Sequence, residues 1–320
     1  MSDILVDNAF RQDVIKGLSA RQKYLLPKYF YDARGDSLFQ EIMQSPEYYL
    51  SRAEEEILRE KSRDILQACT NTQPTFDIIE LGAGDASKTI YLLEEALLLQ
   101  CSQQYFPIDI SASMIDQLNS SLPTQLAGMR VDGLSGEYFP MLAQVQANRP
   151  TPKLVLFLGA TIGNLSPDEA LVFFRDLFTY LHTGDYVLIG FDLKKNPQTI
   201  LNAYNDKDGL TRAFNLNLLD RINQELGGNF NPDNFIHYPV YDPATGACKS
   251  YLISTCPQRV TLDDGNHFDF AKDEPIYMEV SQKYSEAEIA SMGREAGYEP
   301  IMTFFDRQAL FADVLWQKIQ

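Results

Sequence analysis

Three hundred and twenty residues, 45% of them hydrophobic, are more than one ordinary compact domain needs and leave ample material for a core. With 44 acidic against 27 basic residues, a formal charge of −17, the surface repels nucleic acid and anionic membrane, and neither is an expected partner. Cys69, Cys101, Cys248 and Cys256 lack the paired spacing of a zinc site, and His182, His237 and His267 are dispersed. Structural thiols in a reducing compartment and no metal are therefore expected. No basic stretch followed by an apolar core opens the chain, and no apolar run approaches spanning length, so the expected location is the cytoplasm.

Between about residues 53 and 193 helix-like and strand-like segments alternate, the pattern of a parallel sheet with helices on both faces. The first strand-like run ends in Glu80-Leu81 and passes into Gly82-Ala83-Gly84-Asp85-Ala86-Ser87-Lys88-Thr89, which reads as a glycine turn and a helix start in immediate succession. Gly82 and Gly84 lack the Cβ that blocks tight turning and close approach by a ligand, and a helix start offers unpaired N–H groups at its positive end. Ser87 stands where a dinucleotide fingerprint has its third glycine. Glu80 before the first glycine and Asp109 at the end of the next strand fit S-adenosylmethionine better than NAD. Many tight turns carry two glycines and bind nothing, so Asp109 gives the pattern its weight; the plain alternative for Asp109 is a strand-end residue capping the next helix. Strands are expected from Asp77 to Leu81, Gln104 to Ile108, Leu154 to Leu158 and Tyr186 to Phe191. Their carboxyl ends share one edge, which would gather Gly82, Asp109, Gly159 and Asp192 at one cleft.

From about Lys194 to Lys283 the rhythm breaks. A helical stretch from Gln198 to Leu226 is followed by strands such as Ser250 to Thr255 and Ile276 to Val280, which together read as an inserted module. Ser285-Glu286-Ala287-Glu288 is a capping-box helix start and Gly297 its stop, after which Phe304 with Phe305 and then Ala309 to Leu315 return two strands to the main sheet. The aromatic-rich N-terminus is expected to pack on the insert. The division that follows is 53-193 with 284-320 for a cofactor-binding domain and 1-52 with 194-283 for a second domain. With no heptad seam and no exposed apolar edge legible, the expected state is a monomer.

Four further segments are Leu26-Pro27-Lys28-Tyr29-Phe30-Tyr31-Asp32 with Pro46-Glu47-Tyr48-Tyr49, Leu158-Gly159-Ala160-Thr161-Ile162-Gly163-Asn164-Leu165, Ala203-Tyr204-Asn205-Asp206 with Thr211-Arg212-Ala213-Phe214-Asn215, and Met278-Glu279-Val280-Ser281-Gln282-Lys283-Tyr284. With the glycine turn, and in this order from about Val14 to Trp316, they resemble the L-histidine Nα-methyltransferases of ergothioneine biosynthesis. The resemblance implies a Rossmann-like α/β methyltransferase fold with a second α+β domain built from the N-terminal segment and the insertion, the amino-acid substrate lying between the two. It implies three successive methyl transfers from S-adenosylmethionine to the α-amine of histidine, giving hercynine.

Carried over position by position, the resemblance makes Gly82, Gly84, Lys88 and Asp109 cofactor-binding, with Asp109 accepting the ribose hydroxyls and Gly133 and Leu134 at the adenine. Asn164 becomes the main substrate anchor, because one amide both donates to a carboxylate and accepts from an amine. Tyr204 would donate to the substrate carboxylate and Tyr48 would reach its amine or ring. Tyr31 and Phe39 would stand near the reacting amine, where aromatic faces favour growing positive charge; Tyr31, Gly159 and Asn164 are the groups expected to orient it. Glu279 and Ser281, two apart on a strand and so facing one way, would recognise the imidazole.

Read from the residues alone, each position has a plainer alternative. Core packing is the default for any of 17 tyrosines, Asn164 is equally a turn residue, Lys88 a solvated one, and the Glu279 and Ser281 pair a polar stripe on an edge strand. Two departures stand out. Ser250 occupies the position where the family often has a methionine against the imidazole, and Val131-Asp132-Gly133-Leu134-Ser135 lacks the usual acidic residue after the glycine. Two other readings therefore stay open: an Nα-methyltransferase of tryptophan or a prenylated tryptophan, and a cofactor-binding protein without turnover.

Overall fold

The computed structural model describes residues 2–319, and for residues 2–8 the backbone alone; Met1 and Gln320, at the outer ends of the expected domain ranges, lie outside the described residues. In chain order the helices are α1 (Ser2–Ser19), α2 (Ala33–Gln44), α3 (Tyr49–Thr70), α4 (Ile90–Leu98), α5 (Ala112–Gln125), α6 (Tyr138–Asn148), α7 (Pro167–Tyr180), α8 (Pro197–Ala203), α9 (Leu210–Leu226) and α10 (Glu286–Glu295). The strands are β1 (Asp77–Leu81), β2 (Gln104–Asp109), β3 (Arg130–Val131), β4 (Leu134–Ser135), β5 (Lys153–Phe157), β6 (Tyr186–Asp192), β7 (Phe235–Asp242), β8 (Ala247–Ser254), β9 (Gln258–Thr261), β10 (His267–Phe270), β11 (Pro275–Gln282), β12 (Tyr298–Phe305) and β13 (Phe311–Lys318). They fall into two compact units, Met1–Tyr49 with Lys195–Ser281 and Leu50–Lys194 with Gln282–Gln320. None of the described helices is long and apolar enough to cross a membrane.

The second unit is a doubly wound sheet in the order β12-β13-β6-β5-β1-β2-β3, with β4 also on β2. The pairings from β6 to β3 are parallel, and β13 and β12 add antiparallel at the other edge. Strands β1, β5 and β6 are buried along their whole length, as near-continuous apolar runs covered on both faces must be. Phe174, Phe191 and Trp316 centre the core. The expected capping box forms, Ser285 with Glu288 at α10, and a second one, Ser166 with Glu169, opens α7. The chain runs outward from β1 to β2, β3 and β4 and then crosses to β5 on the other side. The strand order thus reverses between β1 and β5, and the crevice outside their carboxyl ends is where such sheets take ligands.

One expectation needs correction here. The glycine turn does not pass straight into a helix: α4 begins at Ile90, because Gly84 and Ala86 both hold positive φ (52° and 54°) and the Thr89 hydroxyl donates to Glu80 Oε1 at 2.7 Å instead of capping.

The first unit pairs a three-stranded sheet, β11-β8-β7, with a β9–β10 ribbon and helices α1, α2, α8 and α9. Phe10, Leu18 and Phe30 from the N-terminal segment share one core with Phe214, Leu219, Phe235 and Met278 from the insert. The backbones are knit as well, Leu25 N donating to Tyr277 O and Tyr277 N to Lys23 O, each at 2.9 Å. The expected single helical stretch from Gln198 to Leu226 is two helices. Asp206 accepts the N–H groups of Leu210 and Thr211 at 2.7 and 2.8 Å, and Gly209 sits at φ 72°, so the chain turns and α9 starts afresh.

Candidate active site

The loop after β1 is anchored to the end of β2. Gly82 N donates to Ile108 O at 2.8 Å, Gly84 N to Asp109 Oδ2 at 3.1 Å and Ser111 N to Asp109 Oδ1 at 3.0 Å. The cap of α5 is Ser111, which accepts from Met114 N, so Asp109 is left free of that duty. Each of its oxygens has taken one donor, and an ionised carboxylate has about four acceptor sites. A Cβ on Gly84 would meet nothing within 4 Å, whereas one on Gly82, at φ 76°, would stand 2.9 Å from the Tyr138 hydroxyl. An open face above a glycine backbone, beside a half-buried carboxylate at the switch point, fits an adenosyl cofactor.

Beneath this loop Glu80 is buried and receives hydroxyl donors from Thr89 and Tyr105. Burial pushes its carboxyl up to about 7, against the two donors that favour the anion. Since the folded state holds this proton more tightly than the unfolded chain, the group stabilises fully below its ordinary value, and that stability is lost as pH rises toward 7. Glu80→Gln should therefore lose less stability than wild type between about pH 4.5 and 7, compared by denaturant unfolding at both ends of that window. An identical pH slope in the two proteins would show that Glu80 is ionised throughout.

After β5 the chain turns through Gly159 (φ 75°) and Ala160 (φ 53°) into a 3-10 turn, Thr161–Asn164. The Asn164 side chain is exposed and, with Glu137, Tyr138, Pro140, Phe157 and Thr161, lines a cavity of about 300 Å³. Lys88 is in the same unit. Its ammonium pairs with Glu54 Oε2, while Glu54 Oε1 accepts the Gly159 N–H at 2.6 Å. Burial opposes the charge on Lys88, but Glu54 outweighs it and holds the ammonium above its ordinary value. Gly133 and Leu134 lie at the β3–β4 corner and line a cavity of about 470 Å³, and Leu134 pairs with Ile108. A Cβ at Gly133 would stand 2.8 Å from Ile115 Cγ2, so packing against α5 alone accounts for that glycine. The nearby Asp132 is committed to Gln104 Nε2 at 2.7 Å.

The remaining predicted residues sit together in the first unit. Tyr31 and Phe39 meet edge to face with centroids 5.7 Å apart, Phe39 and Tyr48 at 6.4 Å, and Tyr48 and Tyr204 at 6.3 Å. Phe214 on α9 joins them, 5.7 Å from Tyr31 and 5.9 Å from Phe39. The Tyr204 hydroxyl donates to Ser281 Oγ at 2.7 Å. Ser250, buried on β8, donates to Glu279 Oε1 at 3.2 Å, which ties the substituted position to the carboxylate. β11 is an edge of its sheet, but Ser281 is buried and Glu279 half-buried, so neither belongs to a solvent-facing stripe. The predicted residues thus form two sets, one per unit.

Sequence reasoning missed Glu54 and Phe214. Glu54 had a signal: it falls four residues after Leu50 and four before Leu58, both buried, at an apolar position of α3 where an acidic side chain needs a partner. Phe214 lies inside a segment singled out above, but as one of 19 phenylalanines nothing local separates it from core. No group of His, Cys, Asp and Glu side chains that could hold a metal ion occurs among the described residues.

A family model described as a histidine-specific, SAM-dependent methyltransferase matches residues 10–318. The chain belongs to this family. Among relatives of this histidine-specific family, the histidine N-alpha-methyltransferase of Mycolicibacterium smegmatis is 34% identical over 290 residues, covering 90% of this chain and 88% of that protein. That of Mycobacterium tuberculosis is 33% identical over 304 residues, with 95% and 93% covered. The 4-dimethylallyltryptophan N-methyltransferase of Claviceps purpurea is 28% identical over 325 residues, with 93% and 92% covered.

Proposed function

We infer that this protein is an S-adenosylmethionine-dependent enzyme that methylates the α-amino group of L-histidine, toward hercynine in ergothioneine biosynthesis. The observation that carries this reading is the family match over nearly the whole chain, and the open Gly84 face beside Asp109 supports the cofactor. When bound, the cofactor supplies a methyl group already activated on a sulfonium. Asp109 accepts the ribose hydroxyls, Gly82 and Gly84 allow close approach, Gly133 and Leu134 flank the adenine, and Lys88 offers its ammonium to the carboxylate end. Asn164 and Tyr204 hold the substrate's carboxylate and amine, and Tyr48 reaches the amine or ring.

Orientation supplies most of the rate in such a transfer. An α-amine with pKa of roughly 8 is partly neutral near pH 7, so tyrosine hydroxyls and the Gly159 carbonyl suffice to orient it, and water takes its proton to solvent. The rings of Tyr31 and Phe39 face the growing cation. We propose that the protein works in the cytoplasm as a monomer. Calorimetry with S-adenosylhomocysteine and methyl transfer to a panel of amino acids test the whole reading; preferred turnover of any other amino acid would overturn the substrate.

Glu279, with Ser281 and Ser250, meets the imidazole N–H. Glu279→Ala should lower kcat/KM for histidine by about 1.5 to 3 kcal/mol, the range of a hydrogen bond to a charged group, with cofactor affinity hardly changed. The variant should also relax toward tryptophan and phenylalanine, since removing the carboxylate lifts the desolvation penalty that excludes an apolar ring. Competition assays with the four aromatic amino acids read both effects. Full histidine activity in the variant would place the imidazole elsewhere.

A further inference from the structure

Lys88, assigned above to the cofactor, already has a buried partner. Glu54 is fully buried on α3, and both its oxygens are engaged, one by the Lys88 ammonium and one by the Gly159 N–H. These two partners belong to the two loops, after β1 and after β5, between which the strand order reverses. Gly190 on β6 makes the room: a Cβ there would stand 2.3 Å from Glu54 Oε1.

Opposite Gly190 in the β13–β6 register is Asp313, fully buried and with neither carboxyl oxygen hydrogen-bonded to a described residue. Burial and the Glu54 charge push Asp313 far above the usual carboxylate range, against the pull of Lys88. Glu80, also buried, has its own hydroxyl donors. Lys88 pairs with Glu54, which touches both loops.

We propose that Glu54 is a positioning residue for methyl transfer, its two carboxylate oxygens fixing the Lys88 ammonium and the Gly159 amide so that the loops after β1 and β5 stand ready for the cofactor. The proposal rests on the cofactor reading of Lys88. A carboxylate that merely held the fold together would lower stability when changed and leave the cofactor affinity of the folded variant alone. A positioning carboxylate acts through Lys88, so the two residues must be energetically coupled toward the ligand.

The test is calorimetric titration of S-adenosylhomocysteine into wild type, Lys88→Met, Glu54→Gln and the double variant, with thermal unfolding of each ligand-free protein as a control for folding. Glutamine keeps an oxygen for the Gly159 N–H and removes only the charge. Each single variant should bind about 10- to 100-fold more weakly, and the double variant within about threefold of the weaker single one. In turnover, KM for S-adenosylmethionine should rise with KM for histidine nearly constant. If Glu54→Gln does not fold, Glu54→Asp, which keeps the charge and withdraws it by one methylene, should show the same weakening. A folded Glu54 variant that binds S-adenosylhomocysteine like wild type, or strictly additive losses in the double variant, overturns the proposal. Unchanged binding by Lys88→Met removes Lys88 and this inference together while leaving the cofactor reading, and failure of wild type to bind removes all three.

Discussion

Asp109→Ala should weaken S-adenosylhomocysteine binding by two orders of magnitude or more, the largest single effect expected at this site. Each hydroxyl bond to an ionised carboxylate contributes about 1.5 to 3 kcal/mol, and the ribose offers two hydroxyls. The same carboxylate also anchors Gly84 N and Ser111 N, so its loss frees the glycine loop from the end of β2. The fold should survive, because Gly82 N remains bonded to Ile108 O and β1 stays paired on both sides. Calorimetry on the folded variant decides it: affinity within a few-fold of wild type would mean that the cofactor lies elsewhere. Asp109→Asn, which keeps one acceptor oxygen, should fall between the two.

Asn164→Ala should abolish measurable histidine binding while S-adenosylhomocysteine binds as in wild type. The amide is exposed at the end of a 3-10 turn whose backbone bonds, Gly163 N to Ala160 O at 2.8 Å and Leu165 N to Ile162 O at 3.2 Å, do not involve the side chain. Truncation therefore leaves the turn in place and removes only the donor and acceptor. Two charged substrate groups then lose partners, at a cost on the order of 2 to 4 kcal/mol. Titration of histidine into the cofactor-saturated variant reads this directly, and normal histidine turnover would take Asn164 out of the site.

The elements that carry the cofactor reading were legible because each is written in a short stretch of chain. A strand buried on both faces needs a continuous apolar run, a tight turn needs residues that accept positive φ, and a capping box needs its serine and glutamate three apart. The division of one helical stretch at Asp206 was missed although Asp206-Lys207-Asp208-Gly209 is turn chemistry, because helical periodicity on either side masked it. The delayed start of α4 was missed too, because Thr89 is diverted by Glu80, a residue on another element.

By itself the sequence determined the strand, glycine turn and acidic strand end of a methyltransferase sheet, the capped helix that returns the chain to it, and the segments that place the chain in its family. Only the tertiary structure decided what the buried charges do. That Lys88 is held by Glu54, that Gly190 clears space for that carboxylate, and that burial beside it favours the protonated form of Asp313 depend on residues from α3, the loop after β1, β6 and β13. The aromatic set of Tyr31, Phe39, Tyr48, Tyr204 and Phe214 is likewise assembled from four separate stretches. Periodicity reports which face of an element is apolar; the protonation and partner of a group on that face are set by desolvation and by charges brought from distant parts of the chain, which no local pattern records.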